Sequence, residues 1–138
     1  MFTDRIELSF EAGHRLLYYK GKCEAPHGHS FRAEIMISSA NLDQLGFVVD
    51  FVQLKEKVSG WIDENWDHAF LVNRQDQELL HAFDSLTDKK MFVFEKGNPS
   101  AENMARYLYE KVYNWYGELV LKVRIWESAS DYAEYFER

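Results

Sequence analysis

Polar and apolar residues alternate from Phe2 to His14: Ile6, Leu8, Phe10 and Ala12 fall on one face, Thr3, Arg5, Glu7, Ser9 and Glu11 on the other. A period of two is the mark of a half-buried strand. His14 has the parity of the apolar set, so its imidazole is expected to point inward. The same alternation runs from His27 to Ser39, with His27, His29, Phe31, Ala33, Ile35 and Ile37 on one side and Arg32, Glu34 and Ser38 mostly on the other. Residues 18–26, which carry Gly21 and Pro26, read as the connection between two antiparallel strands.

The period then changes. After Asp50, the expected N-cap with Gln53 placed as a capping-box partner, Phe51, Leu54, Val58, Trp61 and Ile62 share one helical stripe. A second helix is expected from Ser100, just after Pro99, to about Gly117, with Ala101, Met104, Ala105, Leu108, Val112 and Trp115 on one face and Arg106 four residues before Glu110. Met91–Glu95 and Leu119–Glu127 suit strands, the latter with Leu119, Leu121, Val123, Ile125 and Glu127 on a common face, and Tyr132–Phe136 suits a short final one. The order strand, strand, helix, strand, helix, strand predicts an α+β fold: an antiparallel four-stranded sheet with two helices packed on one face.

Composition narrows the setting. At 138 residues with 46% hydrophobic content, the chain has material for one domain, residues 1–138, with one core. A net charge of −7 argues against nucleic acid as a partner, because polyanion binding rests on neutralising phosphates. The N-terminus shows charges at Asp4, Arg5 and Glu7 in place of an apolar leader or membrane span, so a cytoplasmic location is expected. The single cysteine, Cys23, has no intramolecular disulfide partner.

The histidines carry the chemistry. His27 and His29, at i and i+2 of a strand, project to one face about 7 Å apart along the chain, and His14 reaches the same region if the hairpin register sets it opposite them. Lone histidines on apolar faces are commonly hydrogen-bonded core residues. Three on neighbouring strands would each lose roughly 1–3 kcal/mol if buried without partners, whereas a metal satisfies all three. Three neutral imidazoles with an open fourth position suit a catalytic zinc ion, although other first-row divalent ions accept the same ligands.

Other residues leave alternatives open. Cys23, four residues before His27, is a thiol activated by a nearby cation, an inert loop residue, or a fourth ligand closing a structural site. Asp67 and His68 mark a helix end, or join Cys23 in a proton relay. Glu127 is either a solvated strand end or a carboxylate on a buried face that pairs with a flat heterocycle presenting an amino group and a ring N–H.

These residues place the chain beside a known family. Phe10–His14, Cys23-Glu24-Ala25-Pro26-His27-Gly28-His29-Ser30, Val49-Asp50-Phe51, Asp67-His68, Pro99-Ser100-Ala101-Glu102-Asn103, and Glu127 with the later Ala133-Glu134-Tyr135 resemble 6-pyruvoyl-tetrahydropterin synthases and their bacterial relatives, the 6-carboxytetrahydropterin synthases. The Cys-x-x-x-His-Gly-His element with an upstream histidine is the specific part. The resemblance implies Zn²⁺ on His14, His27 and His29, Cys23 as catalytic base, Asp67 and His68 as its relay, and Glu127 as pterin anchor. Ser100 stands at a substrate-binding position where threonine is usual, and Glu127 is followed by Ser128 where threonine is usual.

The resemblance further implies the tunnelling fold, in which subunits join their sheets into a barrel, commonly a homo-hexamer. The implied substrate is 7,8-dihydroneopterin triphosphate. Three products occur in such enzymes: the carboxy compound of queuosine synthesis, the pyruvoyl compound of tetrahydrobiopterin synthesis, and a 6-hydroxymethyl pterin for folate. Cys23 and the complete relay favour the first. Glu24, which is either an ordinary surface glutamate or the residue of folate-type side-chain cleavage, favours the last. A non-catalytic zinc- or pterin-binding oligomer is the rival from outside enzymology.

Overall fold

The two long alternating segments form the centre of the sheet. In the computed structural model of the chain, which describes residues 1–21 and 24–137, β1 (Phe2–His14) and β2 (His27–Ser39) have the bounds that their alternation predicts. They pair antiparallel from Phe2↔Ser39 to His14↔His27. Ile6, Phe10, Ala12, Phe31, Ala33, Ile35 and Ile37 are buried on their shared face.

Two helices cover that face. In α1 (Phe51–Asn65), Asp50 caps the N-terminus by accepting the Val52 N–H at 2.8 Å, and Leu54, Val58 and Ile62 are buried. Phe51, placed on the same stripe by its spacing, lies outside the core with Val52. A later helix runs over Ala101–Tyr116, capped by Ser100 through the Asn103 N–H at 3.2 Å and closed by Gly117 at φ 58°. It buries Met104, Ala105, Leu108 and Val112 against the same sheet face.

The sheet has six strands rather than four, in the order β4-β3-β1-β2-β5-β6, and it is mixed rather than antiparallel. β3 (Ala69–Asn73) pairs parallel with both β1 and β4 (Met91–Phe94). The second helix in chain order, α2 (Gln77–Asp84), makes the crossover between β3 and β4, so the helix over Ala101–Tyr116 is α3. Alternation does not mark β3 because Ala69, Leu71, Val72 and Asn73 are buried on both sides. α2 is only eight residues long, and its apolar stripe of Leu79, Leu80 and Phe83 spans little more than one turn.

β5 (Val120–Trp126) and β6 (Tyr132–Tyr135) complete the sheet. Pairing jumps from Met36↔Lys122 to Ile37↔Val120, a bulge that leaves Leu121 41% exposed and puts Val120 in the core with Val123 and Ile125. The expected common face from Leu119 to Glu127 is therefore correct only from Val123 onward. Burial of Ile35, Ile37, Val123 and Ile125, each worth about 1.5–3 kcal/mol, holds β2 in register, since a one-residue slip would turn all of them outward. That register also aims His27 and His29.

The sheet face opposite α1 and α3 carries a buried charge. Glu34, 3% exposed, accepts from Arg5 Nε at 2.7 Å and from the Trp126 indole N–H, with Arg124 close by. Burial pushes its carboxyl up, but these donors and cations hold it below the ordinary value.

Candidate metal centre

The register of β1 and β2 assembles the three histidines. His14 lies opposite His27, and His29, opposite Ala12, is the diagonal neighbour on the same face. The ring centroids of His14, His27 and His29 are 4.7–5.2 Å apart and the ring planes are steeply inclined, at 67°, 88° and 90°. One ligating nitrogen from each lies within 4.8 Å of the others.

Backbone carbonyls fix two of the rings. His14 Nδ1 is 2.7 Å from the Pro99 carbonyl, and His27 Nδ1 is 2.7 Å from the Ala25 carbonyl. A carbonyl only accepts, so both Nδ1 atoms carry the proton and both Nε2 atoms present bare lone pairs. Those two Nε2 atoms face each other at 3.1 Å. His29 Nε2 is buried with no hydrogen-bond partner.

Such a cluster is unfavourable until a cation enters it, and its donor set suits a divalent first-row ion. Outer hydrogen bonds from metal-binding imidazoles to carbonyls are a regular feature of such sites. Burial lowers the His14 pKa to about 4, with the Pro99 carbonyl opposing and the other two histidines adding to the shift. Burial also lowers His29. Near neutral pH, the His14 ring is therefore neutral, with its proton on Nδ1 and Nε2 bare, as ligation requires.

Glu127, immediately after β5, brings Oε1 to 3.3 Å from His14 Nε2 and 3.4 Å from His29 Nε2. The parity it shares with Val123 and Ile125 thus carries it to the histidine side of the sheet. It also lines a cleft of about 410 Å³ with Glu102, Tyr132 and Ala133. A larger cleft of about 650 Å³ opens beside His27 and His29 and is bounded by Glu11, Phe70, His68 and Lys89. Gly13 allows it: a Cβ there would meet the Phe70 ring at 2.8 Å.

Asp67 and His68 follow directly on the C-cap of α1, as expected of a helix end, with the Asp67 N–H donating to the Ile62 carbonyl at 2.8 Å, and His68 lines this larger cleft. His68 adopts φ 59°, and its N–H donates to the Glu11 carbonyl at 2.6 Å. Its Nδ1 is 3.0 Å from Asp67 Oδ2. Asp67 Oδ1 accepts the Glu11 N–H at 2.9 Å, which, helped by His68 and Lys90, holds its carboxyl below the ordinary value.

The structure thus brings together His14, His27, His29 and Glu127, and sets His68, paired with Asp67, at the adjoining cleft. Ser100 serves as a helix cap beside Pro99. Glu24 is exposed, with its N–H on the Gly21 carbonyl at 3.2 Å. Cys23 lies outside the described residues. Sequence reasoning passed over the Pro99 and Ala25 carbonyls and Asn98. The Asn98 amide accepts the Leu17 N–H at 2.8 Å and donates to the Leu17 carbonyl at 3.0 Å. Asn73 and Asn103 bond to Asn98 in turn. The Asn98-Pro99 step before a capped helix was the available signal.

A mixed sheet with α1 and α3 on one face and a three-imidazole cluster at the end of its central hairpin defines an α+β protein with a candidate metal site. Residues 5–138 match the family described as 6-pyruvoyl tetrahydropterin synthase, and the chain belongs to that family. It is 37% identical to the 6-carboxy-5,6,7,8-tetrahydropterin synthase of Rickettsia bellii over 96% of each chain. It is 33% identical to that of Aquifex aeolicus over 93% of each. An uncharacterized protein of Wolinella succinogenes has the same fold at 20% identity, TM-score 0.84, covering 99% of this chain and 98% of that one. The Caenorhabditis elegans 6-pyruvoyl tetrahydropterin synthase matches at 24% identity, TM-score 0.71, covering 99% and 96%. Among the described residues, no helix is long and apolar enough to cross a membrane.

Proposed function

We propose that this chain is a zinc-dependent 6-carboxy-5,6,7,8-tetrahydropterin synthase, a lyase that converts 7,8-dihydroneopterin triphosphate and water to 6-carboxytetrahydropterin, acetaldehyde and triphosphate. The reading places it in queuosine and other 7-deazapurine synthesis, in the cytoplasm. The observation that carries it is the convergence of His14, His27 and His29 on one point, in a chain whose curated relatives bear that enzyme's name.

His14, His27 and His29 would hold the zinc ion, which when bound would supply Lewis acidity toward the hydroxyl oxygens of the substrate side chain and so ease removal of the neighbouring C–H. Cys23 takes and returns that proton. Asp67 orients His68 through the 3.0 Å contact, and His68, which lines the larger cleft, is the partner in proton exchange with that thiol. Glu127 binds the amino and ring N–H edge of the pterin, and Ser100, through its cap, sets the start of α3 beside that edge. The cleft beside His27 and His29 and the cleft beside Glu127 give the heterocycle and its phosphorylated tail separate places.

Folate-type cleavage to a 6-hydroxymethyl pterin is the second reading, favoured by Glu24 next to Cys23 in Cys-Glu-x-x-His-Gly-His. Assembly as a hexamer fits the two outer strands, β4 and β6, whose far edges are left unpaired by the sheet order. Acetaldehyde release tests the main reading. It should require zinc and disappear in His29→Ala, and metal-independent release would contradict the assignment.

A further inference from the structure

We propose that Glu127 is the fourth protein ligand of the metal in the substrate-free protein, and that it yields this position when substrate enters. The inference rests on the reading of His14, His27 and His29 as the metal site. It adds a resting state in which the chain itself closes the coordination sphere.

The distances argue for it. Four ligand atoms at about 2.0–2.1 Å from a tetrahedral zinc ion lie about 3.3 Å from one another. The His14–His27 Nε2 separation is 3.1 Å, and Glu127 Oε1 stands 3.3 Å from His14 Nε2 and 3.4 Å from His29 Nε2. The carboxylate oxygen therefore stands at that spacing from two of the three histidines.

The hydrogen bonding excludes the simplest alternative. His14 spends its ring proton on the Pro99 carbonyl, so its Nε2 has none to give Glu127, and His29 Nε2 makes no hydrogen bond. Among the described residues, no other donor reaches the Glu127 carboxylate. An oxygen that accepts from nothing and faces the bare Nε2 of His14 is explained by a shared cation. Its backbone is held for the purpose: the Glu127 N–H donates to the Asp131 carbonyl at 3.0 Å, and Ser128 Oγ ties the intervening turn by accepting the N–H groups of Ser130 and Asp131.

The same carboxylate borders the cleft shared by Glu102, Tyr132 and Ala133, and it is about one-third exposed. Rotation about its side-chain bonds carries it from the metal to that cleft without moving β5. A carboxylate that binds the pterin edge cannot at the same time complete the metal sphere. Substrate binding and metal release by Glu127 are thus one exchange, which frees a coordination position only when substrate is present.

Metal binding gives a readout separate from activity. Metal-free wild type, Glu127→Gln, Glu127→Ala and His29→Ala are titrated with Co²⁺, following the visible absorption, and with Zn²⁺ against a chromophoric chelator. Both Glu127 variants should bind at least about tenfold more weakly and show an altered Co²⁺ spectrum. Adding 7,8-dihydroneopterin triphosphate to Co²⁺-loaded wild type should change its spectrum also. Unchanged affinity and spectrum in both Glu127 variants, with binding lost in His29→Ala, would overturn the fourth-ligand role and leave the three-histidine site standing. Failure of wild type to bind either ion would overturn both.

Discussion

His14 on β1 donates its Nδ1 proton to the carbonyl of Pro99, the residue before the cap of α3, over 2.7 Å. A backbone group 85 positions away in sequence thereby chooses which nitrogen of the buried imidazole is free for a metal. Asn98 fixes that carbonyl through its bonds to Leu17, Asn73 and Asn103. Asn98→Ala should lower zinc affinity by roughly tenfold while the protein stays folded. Chelator competition beside a thermal melt checks this, and a lowered Tm with unchanged affinity would assign Asn98 to stability alone.

Arg15, the next residue, binds the buried Asp76 through Nε at 2.6 Å and a terminal nitrogen at 2.5 Å, tying the end of β1 to the cap of α2. Arg15→Met leaves a carboxylate that is 2% exposed without its cation, a loss of about 3–5 kcal/mol. The Arg15 hydrogen bonds hold Asp76 below its ordinary value. Its contribution is therefore complete above the usual aspartate range near pH 4 and is lost as pH falls through the lowered folded value. Urea melts across pH should show a flatter acid limb in Arg15→Met than in wild type.

Much of this was legible in the sequence, for a local reason. β1 and β2 are long, alternate cleanly and bury one face, so the inward parity of His14, His27 and His29 follows from counting. The caps at Asp50 and Ser100 are likewise local chemistry. β3 and α2 were not legible, because burial on both sides of Ala69–Asn73 erases alternation and the parallel pairing of β3 with β1 is a relation between distant segments. Leu121 shows the limit within one strand, where a bulge reverses a face without any mark in composition. The Pro99 contact belongs to the same class, since nothing near His14 in sequence announces it.

Cys23 separates catalysis from metal binding. Cys23→Ala should abolish turnover while zinc remains bound in stoichiometric amount, measured by acetaldehyde release beside elemental analysis. Loss of zinc with loss of turnover would instead make the thiol a ligand.

Asp67 is tied to the Glu11 N–H and to His68. Asp67→Asn keeps an acceptor for Glu11 but removes the charge that orients and supports His68. Turnover should fall by roughly 10²–10⁴-fold, the usual worth of a positioned acid or base, with zinc affinity unchanged. Steady-state kinetics that match wild type would remove Asp67 and His68 from the relay.

The central claim is the product. Purified, zinc-loaded protein is incubated with 7,8-dihydroneopterin triphosphate and the pterin identified by mass spectrometry. 6-Carboxytetrahydropterin together with acetaldehyde is the predicted result. A 6-hydroxymethyl pterin would move Glu24 to the centre of the chemistry, and substrate recovered unchanged under conditions where a known family member reacts would contradict the enzymatic reading outright.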